Sequence, residues 1–173
     1  MSKYHIHDLA ELKEVLFHDF QIIKKMRSPE ANKIKLLSTL FSINPNSWRV
    51  VGITPEALKI FEKYDFQKKS GMRINRSHIR QRYGFYQTLL DPDNKIQTAE
   101  EFWNTYYEND MTILASASEN MSADQSIFEN AYPVPQDDRK LFQTSGYAWK
   151  HRDEEEEFLK DLFQKHLSKN EHN

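Results

Sequence analysis

The stretch "SWRVVGITPE", residues 47–56, decides the fold class. Trp48, Val50, Val51 and Ile53 favour an extended chain and Gly52 ends the run, so residues 47–53 read as a short strand. Thr54, Pro55 and Glu56 then supply a cap, a first-turn proline and a first-turn acid. This predicts a helix over about 55–64 with Leu58 and Phe61 on its inner face. A strand handed directly to a capped helix argues against an all-helical bundle.

Upstream of that step the pattern is helical. Leu9, Leu12, Leu16, Phe20 and Ile23 recur every three or four residues, which predicts an amphipathic helix over about 8–26 with Asp8 as its cap. Ser28-Pro29 restarts a helix whose stripe is Ile34, Leu37, Leu40 and Phe41, and "NPNS" at 44–47 breaks it. Residues 1–43 therefore read as a helical hairpin extension, and 44–173 as an α+β domain.

Downstream, "RINRSHI" (73–79) partly alternates and reads as strand or extended loop. "YGFYQTLL" is helical and stops at Asp91-Pro92. Thr98 and Glu101 form a capping-box pattern ahead of Phe102, Trp103 and Tyr106. "MTILASA" (111–117) is a strand, "AYPVPQDD" (131–138) an extended connection, and "GYAWKH" (146–151) a last short strand. Asp153 to Leu167 closes the chain as a helix, its acids loaded into the first turn as a solvated start. The expected class is α+β: the N-terminal hairpin, then a small mixed sheet flanked by helices.

Composition bounds the chemistry. At 173 residues with 38% hydrophobic and 13% aromatic content, there is material for a core of ordinary domain size. Cysteine is absent, which excludes disulfides, thiol nucleophiles and thiolate metal sites. No apolar run approaches the roughly 20 residues of a membrane helix, and "MSKYHIHDLAELKEVLF" lacks a signal peptide's unbroken apolar stretch. A cytoplasmic location is the expectation.

Charge is unevenly placed. From Gln67 to Leu90 there are six basic residues (Lys68, Lys69, Arg73, Arg76, Arg80, Arg82) and no acid. With 24 basic and 26 acidic residues in all, 18 basic face 26 acidic elsewhere, a balance of −8. A single histidine, His78, lies among these arginines. Neutral imidazole with a pKa near 6.5 can take a proton from water, and arginine forks hold phosphate oxygens, so the window fits phosphodiester chemistry. A divalent, Mg²⁺-type cation would need oxygen ligands nearby, and "SASENMSADQ" (116–125) offers Glu119, Asn120 and Asp124.

"NRSHI" together with "SASEN" resembles the ββα-metal, or HNH-type, nucleases. The resemblance implies His78 as general base, Asn120 as metal ligand with Glu119 and Asp124 beside it, and Arg76 as phosphate ligand. Arg73, Arg80, Arg82, Lys68 and Lys69 would grip nucleic acid, DNA ahead of RNA. It implies a metal-dependent endonuclease of a restriction or phage-defence kind. Ser77 stands where that family's core has glycine, and 41 residues separate His78 from Asn120.

The same residues support a second reading, a non-enzymatic module that binds nucleic acid or an acidic protein through its 67–90 face. In it the 1–43 hairpin forms a homodimer. Tyr83 and Tyr86, directly after the arginines, suit stacking on bases, whereas Phe85, Trp103 and Tyr106 are expected in the core. The six acids between Asp91 and Asp110 offer intramolecular partners for the arginines. His5, His7 and His172 lie near the chain ends, and His166 suits a helix C-terminus. "DPDNK" (91–95) lacks the glycine and terminal glutamate of a calcium loop, and four isolated glycines make no phosphate loop.

Overall fold

A computed structural model describes residues 8–42, 47–121, 126–142 and 152–167. The N-terminal pair is α1 (Leu9–Lys25) and α2 (Glu30–Ser42). Asp8 caps α1 by accepting from the Ala10 amide at 2.8 Å. Strand β1 (Arg49–Ile53) runs into α3 (Pro55–Lys63), where the Thr54 hydroxyl accepts from the Ala57 amide at 3.1 Å. Then come β2 (Ile74–His78), α4 (Arg82–Leu90), α5 (Ala99–Asn109) and β3 (Met111–Ser116). Both halves of the Thr98–Glu101 capping box form at the start of α5. Two short helices, α6 (Ala117–Met121) and α7 (Ser126–Glu129), lead to β4 (Tyr132–Pro133), and α8 (Asp153–His166) closes the fold.

The strands form one mixed sheet in the order β2-β3-β1-β4. β1 and β3 are parallel, while β2 pairs antiparallel with β3 and β4 antiparallel with β1. The protein is thus α+β, with the N-terminal helical hairpin ahead of the sheet. The Tyr132–Pro133 segment, expected to be an extended connection, is a short strand. Proline is tolerated there because β4 is an edge. Gly52 has close neighbours on both sides: a Cβ there would meet Ala131 Cβ, just ahead of β4, at 3.1 Å and Ile113 Cγ2 of β3 at 3.2 Å. The expected strand at 146–151 lies outside the described residues.

Two apolar clusters hold the elements. One is wholly helical, joining Leu12, Leu16 and Phe20 of α1 and Leu37 and Phe41 of α2 to Tyr86, Leu89, Phe102 and Tyr106 of α4 and α5. Its rings stack, Phe20 on Phe102 at 4.6 Å between centroids and Phe41 on Tyr106 at 4.4 Å. Such pairs add about 0.5–1.5 kcal/mol each beyond area burial. The buried apolar stripes of the hairpin are therefore covered by α4 and α5 of the same chain. The second cluster joins Val50, Ile53 and Leu114 of the sheet to Leu58 and Phe61 of α3 and Leu159 and Leu162 of α8. Among the described residues, no helix is long and apolar enough to cross a membrane.

Candidate functional site

Strand β2 sorts the basic segment by its pleat. Successive side chains on a strand point to opposite faces, so Ile74, Arg76 and His78 share one side while Asn75 and Ser77 share the other. On the first side, four elements converge on Trp48. This residue precedes β1 with φ 60°, a left-handed conformation that a bulky side chain rarely adopts. The fold holds it from several directions. Asp110, at the end of α5, accepts from the Trp48 amide at 2.6 Å and from the Tyr106 hydroxyl at 2.9 Å. The Trp48 carbonyl accepts from Thr112 Oγ1 at 3.1 Å and from Arg76 Nη1 at 3.4 Å. The indole ring carries Arg82 at 4.7 Å and Arg76 at 5.4 Å from its centroid.

His78 closes this cluster. Its ring meets the Trp48 ring edge-on at 4.7 Å, and Nδ1 lies 3.9 Å from Asp110 Oδ1. Neither ring nitrogen has a hydrogen-bond partner among the described residues, and both are enclosed. Burial first, then the charges of Arg82 and Arg76, push its pKa down to about 3. The imidazole is therefore neutral near pH 7 and a weak base, with its two ring nitrogens shielded from water. Burial likewise lowers Arg76 to about 10, partly opposed by Asp110, so its guanidinium stays charged. Asp110 is pushed up by burial, against the pull of the Trp48 amide and Tyr106 hydroxyl bonds.

Unfolded histidine titrates near 6.5, so between that value and about 3 the unfolded chain binds the proton and the folded chain does not. Stability contributed by neutral His78 is full above that window and is lost as pH falls through it. Raised Asp110 acts in the opposite sense, so the difference between wild type and His78→Phe isolates the imidazole. Wild type is expected to lose more stability than the variant between about pH 7 and about pH 5 in urea titrations. A His78 C–H NMR resonance that titrates with a midpoint near 6.5 would contradict this burial.

The remaining predicted residues divide. Lys68, Lys69, Arg73 and Arg80 are exposed, and Tyr83 is 56% exposed. Lys69 pairs with Asp65 at 3.1 Å, and Arg80 Nη1 donates to Asn109 Oδ1 at 2.7 Å. Arg76, expected on phosphate, is instead buried, and half-buried Arg82 donates to the Tyr86 hydroxyl at 3.0 Å and to Ser38 Oγ. Tyr86, expected on the surface, is 3% exposed and stacks on Phe41, because positions 82, 86 and 89 form the inner face of α4.

The expected metal ligands lie apart from the imidazole. Asn120 Oδ1 accepts from Ser77 Oγ, and Ser77 is on the face of β2 opposite His78. Glu119 Oε2 accepts from the Ser116 amide and the Thr54 hydroxyl, both at 2.8 Å, tying the ends of β3 and β1 together. Asp124, His5, His7 and His172 lie outside the described residues. Among the described residues, no group of three His, Asp or Glu could hold a metal ion. His166 stacks on Tyr132 at 4.4 Å in the last turn of α8.

Sequence reasoning missed Asp110 and Trp48 as the centre of the cluster. An acid wedged between a helix and an apolar strand was a signal for Asp110. Trp48 gave none, since tryptophan does not mark a left-handed position. Comparison with protein-family models, curated proteins and solved structures found no match.

Proposed function

We propose that the protein is a non-enzymatic module that binds nucleic acid through the exposed cations flanking β2. The carrying observation is a division of labour among the basic residues: Arg76 and Arg82 are turned into the fold, whereas Lys68, Lys69, Arg73 and Arg80 face outward at the two ends of an edge strand. Five strand residues span about 17 Å, so the two cationic groups are spaced to follow a phosphate backbone over several nucleotides. Arg80 lies just before α4, whose first turn carries no acid and whose Gln81 cap makes no side-chain hydrogen bond. That helix end is electrostatically suited to an anion.

The hydrolytic alternative calls for a base and a cation ligand that open on one concavity. A neutral, enclosed His78 and an Asn120 held across β2 give it less support than the surface cations give binding.

Fluorescence anisotropy on labelled single- and double-stranded oligonucleotides tests the reading. Affinity is expected to fall linearly with salt on a log–log plot, and the Arg73→Ala/Arg80→Ala double variant to lower that slope by about two. Both side chains are exposed, so melting should barely move. Affinity indifferent to salt and to the double substitution would refute binding through this face. Cutting of the oligonucleotide in Mg²⁺ but not in chelator, abolished in His78→Ala, would restore the hydrolytic reading.

A further inference from the structure

We infer that a cavity of about 240 Å³ between β1, α5 and the segment 135–141 is a binding site for a small aromatic anion, one flat ring bearing a carboxylate or phosphate. The volume falls below the roughly 300–1,000 Å³ that drug-sized ligands occupy, which limits the occupant to about one ring system. The walls are mostly apolar, formed by Val50, Trp103, Pro135 and Leu141 with Leu9 at the rim. Two cations enter this apolar frame, Arg49 and Lys140.

Arg49 is a preformed stacking platform. Its guanidinium lies 3.6 Å over the Tyr107 ring, with Nη2 donating to the Tyr107 carbonyl at 2.7 Å and Nη1 to Gln136 Oε1 at 3.3 Å. Gln136 is itself fixed, its Nε2 donating to the Val50 carbonyl at 2.9 Å and the Val134 carbonyl at 3.0 Å. One plane of the guanidinium covers Tyr107, so the other is what Arg49 offers the cavity. Aromatic rings stack on such a plane.

Lys140 supplies the anion's partner. It is exposed, and a φ of 50° fixes it in a left-handed turn closed by its amide bonding the Asp137 carbonyl at 3.1 Å. The one carboxylate in the lining, Asp137, is already neutralised by Arg139, with Nε at 2.9 Å and Nη2 at 2.7 Å from Oδ2. The cavity is therefore net cationic. A ring on Arg49 with its charged group directed to Lys140 satisfies both. This site is separate from the β2 face and does not depend on nucleic-acid binding.

Calorimetric titration of the full chain with benzoate, phenyl phosphate and the neutral benzamide tests it. The tighter of the two anions is expected to bind about ten-fold more strongly than benzamide, the ratio one charge-assisted hydrogen bond supplies, and that anion names the preferred group. In Lys140→Met this preference should vanish while benzamide binding persists. Should that variant fold poorly, the wild type still decides, since anion affinity should weaken with salt and benzamide affinity should not. Benzamide binding as tightly as both anions, or no heat from any probe at about millimolar concentration, would overturn the proposal.

Discussion

Replacing Asp110 by alanine is expected to destabilise the protein by about 3–5 kcal/mol, the range seen when one partner of a buried charged cluster is removed. The carboxylate is 6% exposed and accepts two buried donors, the Trp48 amide and the Tyr106 hydroxyl. Its loss strands both, and each orphaned buried donor costs about 1–3 kcal/mol. It also leaves Arg76 and Arg82 beside Trp48 without the nearest negative charge. Against this stands the relief of burying a carboxylate, whose raised pKa records that penalty. The donors and guanidinium groups outweigh it, because they remain buried after the substitution with no acceptor in place of the carboxylate. Asp110→Asn, which keeps one acceptor, should fall between. In a double-mutant cycle, Arg76→Met should recover part of the loss, a coupling of about 0.5–3 kcal/mol. Urea unfolding measures all three. A loss below about 1 kcal/mol for Asp110→Ala would mean that the cluster does not hold Trp48 in its left-handed conformation.

That cluster also marks where the sequence stops being legible. Elements written in local chemistry were readable: the Asp8, Thr54 and Thr98 caps bond as their positions predict, and β1 and β3 lie where "SWRVVGI" and "MTILASA" put them. The class followed from those elements. What local chemistry does not encode is which way a strand faces and what it meets. The run of arginines around His78 looks uniform in one dimension, yet the pleat sends Arg76 inward while Arg73 and Arg80, at the strand's two ends, stay in solvent. His78 and Ser77 are neighbours in sequence and on opposite faces in space, which separates the imidazole from the Asn120 amide. Asp110 was legible as a charge and not as a partner, because its donors lie 62 residues upstream and one helical turn back. Helical period, by contrast, did contain the answer for Tyr86, which is four residues beyond Arg82 on the same inner face.

The acidic run 153–157 makes the same point with a larger consequence. Read as a charge run it is a solvated helix start, and Asp153, Glu154 and Glu157 are exposed. Glu155 is 1% exposed. It accepts from the Phe142 amide at 2.9 Å, the Arg152 amide at 2.7 Å and Arg152 Nη2 at 2.7 Å. The same guanidinium reaches the Arg139 carbonyl at 2.8 Å and the Lys140 carbonyl at 3.2 Å. One buried carboxylate thus docks the start of α8 onto the 139–142 segment, where Lys140 and Phe142 both hold positive φ. Glu155→Ala is expected to cost about 3–5 kcal/mol, since it orphans two amides and uncouples Leu141 and Phe142 from Leu159 and Leu162 in the second apolar cluster. Arg152→Ala should cost distinctly less, because the arginine side chain is 42% exposed and water can replace its bonds. Glu154→Ala, one position away and exposed, serves as the control and should stay within about 0.5 kcal/mol of wild type. Thermal melting of the three variants ranks them. Equal losses for Glu154→Ala and Glu155→Ala would show that the run acts only through its helix-dipole charge, because that contribution treats neighbouring first-turn acids alike whereas burial singles out Glu155.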